Sequence, residues 1–490
     1  MKKTVLLLTL LLSSLTALVA QTYTTPNTGV VWTLDDIAAA SPSTVTVSGS
    51  DYQLLENLEI AENDTVQLDS DLTLSIDADL LITVFGTFEV TGSDVTITAI
   101  DTNLPYEGFR FEEFSSINIE NSLIEYGGGL RVLTEDFRID NCTLTNNVEG
   151  ATTGGVISLS RGVPQITNNT ITFNLLPAIS SGANTEVSAY IFNNYIEGNN
   201  QENSNRPQIN MGTTRVNDSL KIIQNTIIGD PALDQVGGIA VSNFVGGNIR
   251  AIIDDNIITE NRYGMTILGN NSFAYIRGNV IEDNNTQNEP NLGGSGISLN
   301  SGAPGMEVIA SGNEFRRNLW GITVIGEASI NLGDGVDNPG ENVFAENGNG
   351  GETYALYNNT ANTLTALNNC WDETNIPNTL ADAEAVIFHM VDDASLGEVL
   401  FDPIGCDELG VETQTFAHFN VYPNPTQNMV QFDNTLGIET VTVYSIVGQR
   451  LLEVPATEGS NMLNMPNTAG VYLVRFETAE ASHTLKVVVQ

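Results

Sequence analysis

A six-residue phrase that recurs along the middle of the chain constrains the fold more than any other feature. It reads Asn, any residue, an apolar residue, two further residues, then Asn or Asp. Complete copies begin at Asn169, Asn194, Asn225, Asn256, Asn279, Asn313 and Asn342, and degenerate copies at Ser122, Cys142 and Asn369. The copies are about 27 residues apart on average and the intervals vary, which is typical of a stacked repeat whose loops change length.

A second phrase, Gly–apolar–any–apolar, falls between copies of the first, at Gly238, Gly264, Gly296 and Gly321. The apolar residues around both phrases alternate with polar ones, so each unit contains two or three short strands. Strands this short bury a core only if each unit makes one turn of a coil and successive turns stack in parallel, about 4.8 Å apart. The sequence therefore predicts an all-β coil with inward Ile, Val, Leu and Phe.

The first Asn of the phrase fits a buried corner, where its amide can bond to the amide of the next turn. We predict such a ladder through Asn169, Asn194, Asn225, Asn256, Asn279, Asn313, Asn342 and Asn369. Asn also tolerates left-handed backbone at bends, and the Gly that opens the second phrase is interpreted in the same way.

This rhythm, with its ending Asn369–Cys370–Trp371, resembles the right-handed parallel β-helix proteins of the pectin-lyase-like superfamily over roughly residues 50–406. The resemblance implies the fold and almost nothing about activity, because the superfamily includes lyases, hydrolases, epimerases and many surface proteins. We expect a β-helix over residues 21–406, with an N-terminal cap at about 21–70.

The first residues have the three-part form of a secretory signal. Lys2 and Lys3 precede an apolar stretch, and small residues lead to Ala20. The apolar part is too short to span a bilayer, and no later stretch is long and apolar enough to do so. We predict a signal peptide at 1–20, cleaved after Ala20.

The rhythm changes after a polar linker at 407–414. About seven short strands in residues 415–490 predict a small antiparallel, Ig-like β-sandwich. This segment resembles the type A sorting domain of the type IX secretion system. The matching positions are Tyr422, Pro423, Asn424, Pro425, Gly448, Gly470, Tyr472 and Lys486.

This second resemblance implies a Bacteroidota protein and an export route. The chain would enter the periplasm through its signal peptide, cross the outer membrane through the type IX secretion machinery, and lose the sorting domain to a peptidase. The product would then be anchored to cell-surface lipopolysaccharide or released. We therefore expect a secreted or outer-surface protein.

Charge narrows the set of partners. The chain has 60 Asp and Glu against 17 Lys and Arg, a net charge of −43. Nucleic acid is excluded, since binding its backbone requires clustered cations. A polyanionic substrate is disfavoured by the same field unless calcium bridges the two.

The cysteines indicate a disulfide bond rather than a metal site. Export permits disulfides, and a Cys370–Cys406 bond would close the open C-terminal end of the coil. Cys142 occupies the Asn position of a degenerate repeat, and we interpret it as a buried free thiol. The three His residues, at 389, 418 and 483, are too scattered for a zinc or His-based catalytic site.

Catalytic candidates are few, and we assign no catalytic residue. Gly-His-Gly and Arg-Ile-Lys motifs of polygalacturonase-like β-helices do not occur, and Asp254–Asp255 is interpreted as a structural corner. Arg316–Arg317 is the basic pair that a lyase would need, but an outward strand end is favoured. The loop Gly333–Glu341 has oxygen ligands suited to calcium without a full EF-hand pattern, so a surface turn is favoured and calcium is the alternative; we expect no other cofactor.

Aromatic residues and long loops point to a place for a ligand. Trp32, Trp320 and Trp371 offer stacking platforms for sugars, although Trp371 occupies a core-like position. The polar loops 200–218 and 284–296 are where we expect a ligand groove.

Three functions remain open from the sequence. The preferred hypothesis is an exported β-helix that acts as a glycan-binding or adhesive module, most plausibly for neutral polysaccharides. The first alternative is a polysaccharide-active enzyme, a lyase or glycoside hydrolase, and the second is a structural surface protein without a ligand. Two or three carboxylates converging on a concave face beside exposed aromatics would favour the enzyme.

Overall fold

The computed structural model describes residues 21–374, 378–406, 421–432, 438–445, 450–456, 462–478 and 482–490. The chain divides into two compact units between Gly405 and Cys406. The predicted signal peptide at 1–20 and the predicted linker at 407–414 lie outside the described residues.

The first unit is a coil of three long sheets, here called sheets A, B and C. Sheet A contains Thr22–Thr24, Asn57–Ile60, Leu81–Val84, Gly108–Phe111, Leu130–Val132, Ile157–Leu159, Ile179–Ser181, Ile209–Met211, Ile239–Ser242, Met265–Leu268, Ser295–Ser301, Trp320–Gly326, Leu356–Thr360 and Ile387–Phe388. Sheet B contains Val31–Trp32, Thr65–Leu68, Thr87–Val90, Ser116–Glu120, Asp136–Asp140, Gln165–Thr167, Tyr190–Phe192, Leu220–Ile223, Ile249–Asp254, Ser272–Arg277, Met306–Ser311, Ile330–Asn331, Leu364–Thr365 and Val399–Leu400. Sheet C contains Val45–Ser48, Asp51–Leu54, Leu72–Ile76, Val95–Ala99, Ser122–Glu125, Thr143–Thr145, Thr170–Thr172, Tyr195–Glu197, Thr226–Ile228, Ile257–Thr259, Val280–Glu282, Glu314–Arg316 and Val343–Ala345.

Each turn of the coil crosses sheets A, B and C in that order, and neighbouring turns pair in parallel. In sheet C the central isoleucines lie in one register column, and each is fully buried: Ile171, Ile196, Ile227, Ile258 and Ile281. Burying one such side chain contributes about 1.5–3 kcal/mol. The apolar lining shared between turns is therefore what holds the stack together, and the predicted parallel β-helix is confirmed.

Within the N-terminal region predicted as a cap at about 21–70, Asn57–Ile60 pairs in parallel with strands on both sides. The cap consists of a partial first turn, helix α1 (Leu34–Ala40) and an antiparallel hairpin, Val45–Ser48 with Asp51–Leu54. Thr33 and Asp36 form a capping box that starts the helix. At the other end lie a small hairpin, Gly348–Asn349 with Glu352–Thr353, and helix α2 (Leu380–Glu384).

The predicted amide ladder is continuous. From Asn169 to Asn369, each Nδ2 donates to the Oδ1 of the next ladder Asn at 2.8–3.0 Å. The backbone N–H of each ladder residue donates to the same oxygen, as Asn194 does to Asn225 at 2.9 Å. The Nδ2 groups from Asn169 to Asn342 are thus satisfied within the ladder, which a polar residue inside an apolar coil requires.

A second buried ladder starts from the other end of the phrase. It runs through Asn147, Asn174, Asn199, Gln208, Asn261, Asn284, Asn318 and Asn347, with donor–acceptor distances of 2.8–3.2 Å. Only the first ladder was predicted from the sequence. The last residue of the phrase, an Asn in nearly every copy, was the signal for the second.

Two backbone assignments are corrected. The left-handed residue is the one before the ladder Asn, as at Asn168 (φ 58°) and Asn193 (φ 53°), and not the ladder Asn itself. Gly238 is not left-handed; a Cβ there would lie 2.4 Å from the carbonyl oxygen of Gly264. Close packing between turns is therefore what excludes a side chain at that corner.

The second unit consists of two antiparallel sheets. One contains Val421–Tyr422, Met429–Phe432 and Met462–Asn464; the other contains Arg450–Pro455, Thr440–Ser445, Gly470–Glu477 and Ser482–Val489. Phe432 and Phe476 pack ring to ring at 5.2 Å in their shared core. This arrangement agrees with the small antiparallel domain predicted from the sequence.

Candidate functional site

The outward side chains of sheet A form a column along the coil, because alternate residues of a strand face away from the core. Parallel register aligns Ser180, Asn210, Ala240, Thr266, Ser298, Thr323, Tyr357 and Phe388. The column changes from small and hydroxyl-bearing residues to aromatic ones toward its C-terminal end.

A cavity of about 730 Å³ lies over the aromatic end of this column. Among the described residues that line it, Arg262 is the one charged side chain. The lining is otherwise aromatic, amide, hydroxyl and aliphatic: Asn205, Tyr263, Thr266, Leu268, Pro290, Asn291, Leu292, Gly293, Ser295, Ser298, Trp320, Thr323, Ile325, Tyr354, Tyr357, Asn359 and Phe388. The arrangement offers stacking faces and hydrogen-bonding groups.

Four aromatic rings form one wall of the cavity. Trp320 lies 4.6 Å from Tyr354 and 5.3 Å from Tyr357 between ring centroids, and its plane is within 20° of that of Tyr357. Phe388 meets Tyr357 edge to face at 5.1 Å. The indole N–H of Trp320 donates to the carbonyl oxygen of Pro290 at 3.0 Å, which fixes the ring's orientation. The wall is therefore a preformed stacking platform.

Arg262 also lines the cavity and is only 8 % exposed. Its Nε donates to Gln287 Oε1 at 2.7 Å, and its two terminal nitrogens donate to Asn205 Oδ1 and the carbonyl oxygen of Leu292, each at 2.5 Å. All three acceptors are neutral, so the guanidinium is hydrogen-bonded without a carboxylate among these partners.

Tyr263 adjoins Arg262 in the lining. Burial raises the pKa of its phenol to about 12, although the charge of Arg262 acts in the opposite direction. The phenol is therefore neutral at physiological pH and available as a hydrogen-bond donor or acceptor.

The two loops predicted to flank a groove do line this cavity. Loop 200–218 contributes Asn205, and loop 284–296 contributes Pro290 to Gly293 and Ser295. Trp320, one of the three tryptophans considered as stacking platforms, is half-buried in the wall. Arg262, Tyr354, Tyr357 and Phe388 were missed, because nothing in the repeat pattern marks which outward residues share a cavity.

Two smaller cavities lie toward the N-terminal end of the same face. One, of about 340 Å³, is lined mainly by Ser, Thr and Gly residues with Arg131 and Arg206. The other, of about 390 Å³, shares Ser160 and Thr185 with it. Arg206 donates to Glu202 at 3.0 Å, so much of its charge is neutralised there.

The basic pair that a lyase would need is engaged elsewhere. Arg316, on sheet C, pairs with Glu314 and Glu373, and Arg317 pairs with Glu282 and Asp283. The hydrogen bond that Arg316 donates to Glu373 is the largest cause raising the pKa of Arg316, and the one that Arg317 donates to Asp283 does the same for Arg317. Both guanidinium groups are held as cations in ion pairs at a strand end.

The other polar candidates also have structural partners. Arg277 donates through two nitrogens to Asp254, and Asp255 occupies a left-handed corner at φ 57°. His389 is buried; its Nδ1 accepts the backbone N–H of Val399 at 2.9 Å and its Nε2 lies 3.0 Å from Glu384 Oε1. His418 lies outside the described residues.

The loop considered for calcium is organised by Asp334. Its Oδ1 accepts three backbone N–H groups, from Val336, Asp337 and Asn338, at 2.8–3.0 Å. Its Oδ2 accepts the side-chain amide of Asn331 at 2.7 Å. Within the part of the chain that the structure describes, no group of three or more His, Cys, Asp or Glu is placed to hold a metal ion.

The cysteines and the remaining tryptophans do not line the described cavity. Cys370 and Cys406 are both disulfide-bonded, whereas Cys142 is free and buried. Trp371 is 1 % exposed and stacks on Phe344 at 5.0 Å, as its core-like position predicted. Trp32 packs against the core in the N-terminal cap.

In the second unit, Asn424 ties the Tyr422–Pro425 segment to the last strand. Its Nδ2 donates to the carbonyl oxygen of Lys486 at 2.7 Å, and its Oδ1 accepts the N–H of Val488 at 2.9 Å. The Tyr472 hydroxyl donates to the carbonyl oxygen of Thr468 at 2.8 Å, and Gly470 pairs with Val489. Gly448 lies outside the described residues.

Residues 420–490 match the family of secretion system C-terminal sorting domains. The second unit is thus a type IX sorting domain, and the protein is one that is secreted or carried to the cell surface. Across the described residues, no helix has both the length and the apolar character needed to cross a membrane.

Other comparisons concern the whole chain. No curated protein matches the sequence. Solved structures of the periplasmic alginate epimerase AlgG and of a single-substitution mutant of it match with TM-scores of 0.38 and 0.37, at 12 % and 13 % identity. Each match covers 76 % of this chain and 82 % of the other. Values at this level say nothing about activity.

Proposed function

We propose that the protein is an exported β-helix module that binds a polysaccharide in the aromatic cavity of sheet A. The observation that carries this proposal is the wall formed by Trp320, Tyr354, Tyr357 and Phe388, preformed beside amide and hydroxyl groups. Sugar rings present apolar faces and polar edges, which such a wall and such groups satisfy together.

Charge supports a neutral ligand over a polyanion. The chain's net charge of −43 repels anionic chains at long range, and the single guanidinium in the lining is occupied by three neutral acceptors. Stacking and neutral hydrogen bonds then supply most of the affinity.

The composition of the lining also favours binding over cleavage. Hydrolysis of a glycosidic bond needs a pair of carboxylates flanking it, and the described lining offers aromatic rings, amides, hydroxyls and Arg262. The sorting domain accounts for delivery. A Bacteroidota source and anchoring to lipopolysaccharide are part of this proposal, and rest on the resemblance of residues 415–490.

The test is a panel of neutral and anionic polysaccharides, scored by affinity gel electrophoresis of the mature protein and by the appearance of new chain ends. We expect retardation by a neutral polysaccharide without cleavage. Cleavage would overturn the binding module in favour of the enzyme, and retardation by no member of the panel would favour the structural protein.

A matched pair of tyrosines locates the site. Tyr357→Ala removes a ring from the cavity wall, and Tyr275→Ala removes a similarly half-buried outward ring from sheet B, where it packs against Phe273 at 4.9 Å. We expect Tyr357→Ala to weaken binding about tenfold and Tyr275→Ala to leave it unchanged. Equal losses in both variants would contradict this placement.

A further inference from the structure

The cavity is flanked by two long loops that belong to different turns of the coil. Residues 198–208 connect sheet C to sheet A on one turn, and residues 283–294 make the same connection further along. Between them lie the connections at 229–238 and 260–264, of which the second is short and carries Arg262. The sheet register holds the ends of these two loops, whereas their interiors need further contacts to keep a fixed separation.

Arg262 bridges these segments. One terminal nitrogen donates to Asn205 in the first loop, while Nε and the other terminal nitrogen donate to Gln287 and Leu292 in the second. Its own backbone is fixed on both sides, since its N–H donates to Val236 at 2.8 Å and its carbonyl oxygen accepts Gly294 N–H at 2.8 Å. A planar guanidinium is suited to this task, because its five donors point in fixed directions.

Residues 287–293 of the second loop, here called the lip, are half-buried or exposed. Leu292 is 58 % exposed, and Asn291 is exposed beside it. The indole N–H of Trp320 donates to the carbonyl oxygen of Pro290 in the same segment. Burying a guanidinium on neutral acceptors costs solvation free energy that its hydrogen bonds must offset, so this arrangement is maintained against a penalty.

We propose that Arg262 is a positioning residue. It sets the separation of the two loops, 198–208 and 283–294, and keeps the lip at 287–293 ordered before ligand binds. This inference rests on the proposed function. A lip ordered in advance spares the ligand the entropy of immobilising it, so affinity should depend on Arg262 even where the ligand contacts only Trp320 and its neighbours.

The experiment compares the mature protein with Arg262→Lys, Arg262→Ala and the control Arg250→Ala, which removes an exposed arginine from sheet B. Hydrogen exchange of residues 287–293 is measured without ligand, and affinity for the retained polysaccharide is measured separately. We expect both Arg262 variants to speed exchange of the lip and to weaken binding about tenfold, with Arg250→Ala unchanged. Lys is expected to fail because one ammonium cannot serve acceptors on both loops.

Chemical rescue separates positioning from a general loss of folding. Guanidinium ion, added to Arg262→Ala below unfolding concentrations, should restore both lip protection and affinity, while sodium at equal ionic strength should not. Unchanged lip exchange in Arg262→Lys, or an affinity loss that guanidinium leaves in place, would overturn the inference. If the wild-type protein binds no polysaccharide, the proposed function fails. Hydrogen exchange of residues 287–293 in the free wild-type and variant proteins still decides whether Arg262 orders the lip.

Discussion

Gln208 occupies a place in the second buried ladder directly before Asn261. It accepts from Asn199 Nδ2 at 3.1 Å and donates its own Nε2 to Asn261 Oδ1 at 3.1 Å. The repeat phrase that begins at Asn225 ends in Asp230, where most other copies have the Asn of this ladder. The Asp230 Oδ1 instead accepts the backbone N–H of Ala232. An ionised carboxylate only accepts hydrogen bonds, so it could not donate to the next amide oxygen of the ladder. Gln208, from a loop, occupies this place in the ladder instead.

Gln208→Glu should therefore destabilise the coil. The new carboxylate has no proton to donate to Asn261, and it is fully buried where Gln208 is 0 % exposed. We expect a loss of about 1–3 kcal/mol, seen as a lower thermal midpoint by circular dichroism. Gln165→Glu is the matched control, because Gln165 is exposed on sheet B and should tolerate the change. Equal midpoints for the two variants would show that the ladder contributes nothing at this position.

Thiol reactivity tests the three cysteines together. Burial raises the pKa of Cys142 to about 12, despite hydrogen bonds that act in the opposite direction, so the thiol stays protonated and shielded. We expect no labelling by iodoacetamide in the native mature protein at pH 8, one labelled thiol after unfolding, and three after unfolding with reduction. Labelling of Cys142 in the native protein, or two or more thiols without reduction, would contradict the assignment.

Asp64 predicts how acid loosens the N-terminal cap. Burial alone would raise the pKa of this carboxyl, but hydrogen bonds from Thr25 and from the backbone N–H groups of Asn27, Gly29 and Val30 lower it below its ordinary 3.8. A depressed pKa contributes stability that is complete above the ordinary value and is lost as pH falls through the folded value. The protection of the amides at residues 27–30, taken relative to the intrinsic exchange rate at each pH, should thus fall at acid pH well before the coil unfolds.

Asp64→Asn provides the comparison for that measurement. It retains one acceptor oxygen but not the charge, so the same amides should exchange faster at neutral pH and lose their acid dependence. Asp71→Asn is the control, because Asp71 is also hydrogen-bonded, to Ser93 and Asp94, but lies elsewhere on the coil. Identical pH profiles for Asp64→Asn and the wild type would rule out this role.

Asn424 offers a test of the sorting domain. Asn424→Ala removes both hydrogen bonds to the last strand, at Lys486 and Val488, and should destabilise the domain by about 1–2 kcal/mol. We expect the variant to accumulate in the periplasm, measured by cell fractionation, whereas Asn464→Ala, at an exposed strand position, should be exported normally. Normal surface delivery of Asn424→Ala would mean that export does not depend on this tie.

The coil was predictable because its cause is local and repeated. The isoleucines at Ile171, Ile196 and Ile227 recur with a fixed phrase, and a fixed phrase can only stack in register. The first ladder was predicted from the same phrase, and the second was not, although the last residue of the phrase was a signal for it. Gln208 could not be found in this way, since it enters the ladder from a loop of irregular length.

The cavity was predictable only as a region. The long polar loops and Trp320 indicated where a ligand groove would lie. The hydrogen bonds of Arg262, however, reach Asn205 and Leu292, which are 57 and 30 residues away in the sequence. The lengths of the loops determine which of these residues come into contact, and the repeat pattern does not encode those lengths. The glycine corners were misread for a related reason, because their constraint comes from the neighbouring turn rather than from their own φ.

The most direct test of the binding site uses tryptophan fluorescence. The chain has three tryptophans, with Trp371 buried, Trp32 in the cap and Trp320 in the cavity wall. Titrating the mature protein with a polysaccharide that retards it should change the emission, and Trp320→Phe should abolish that change while Trp32→Phe preserves it. A change that survives in Trp320→Phe, or one that disappears in Trp32→Phe, would place the ligand somewhere other than the sheet A cavity.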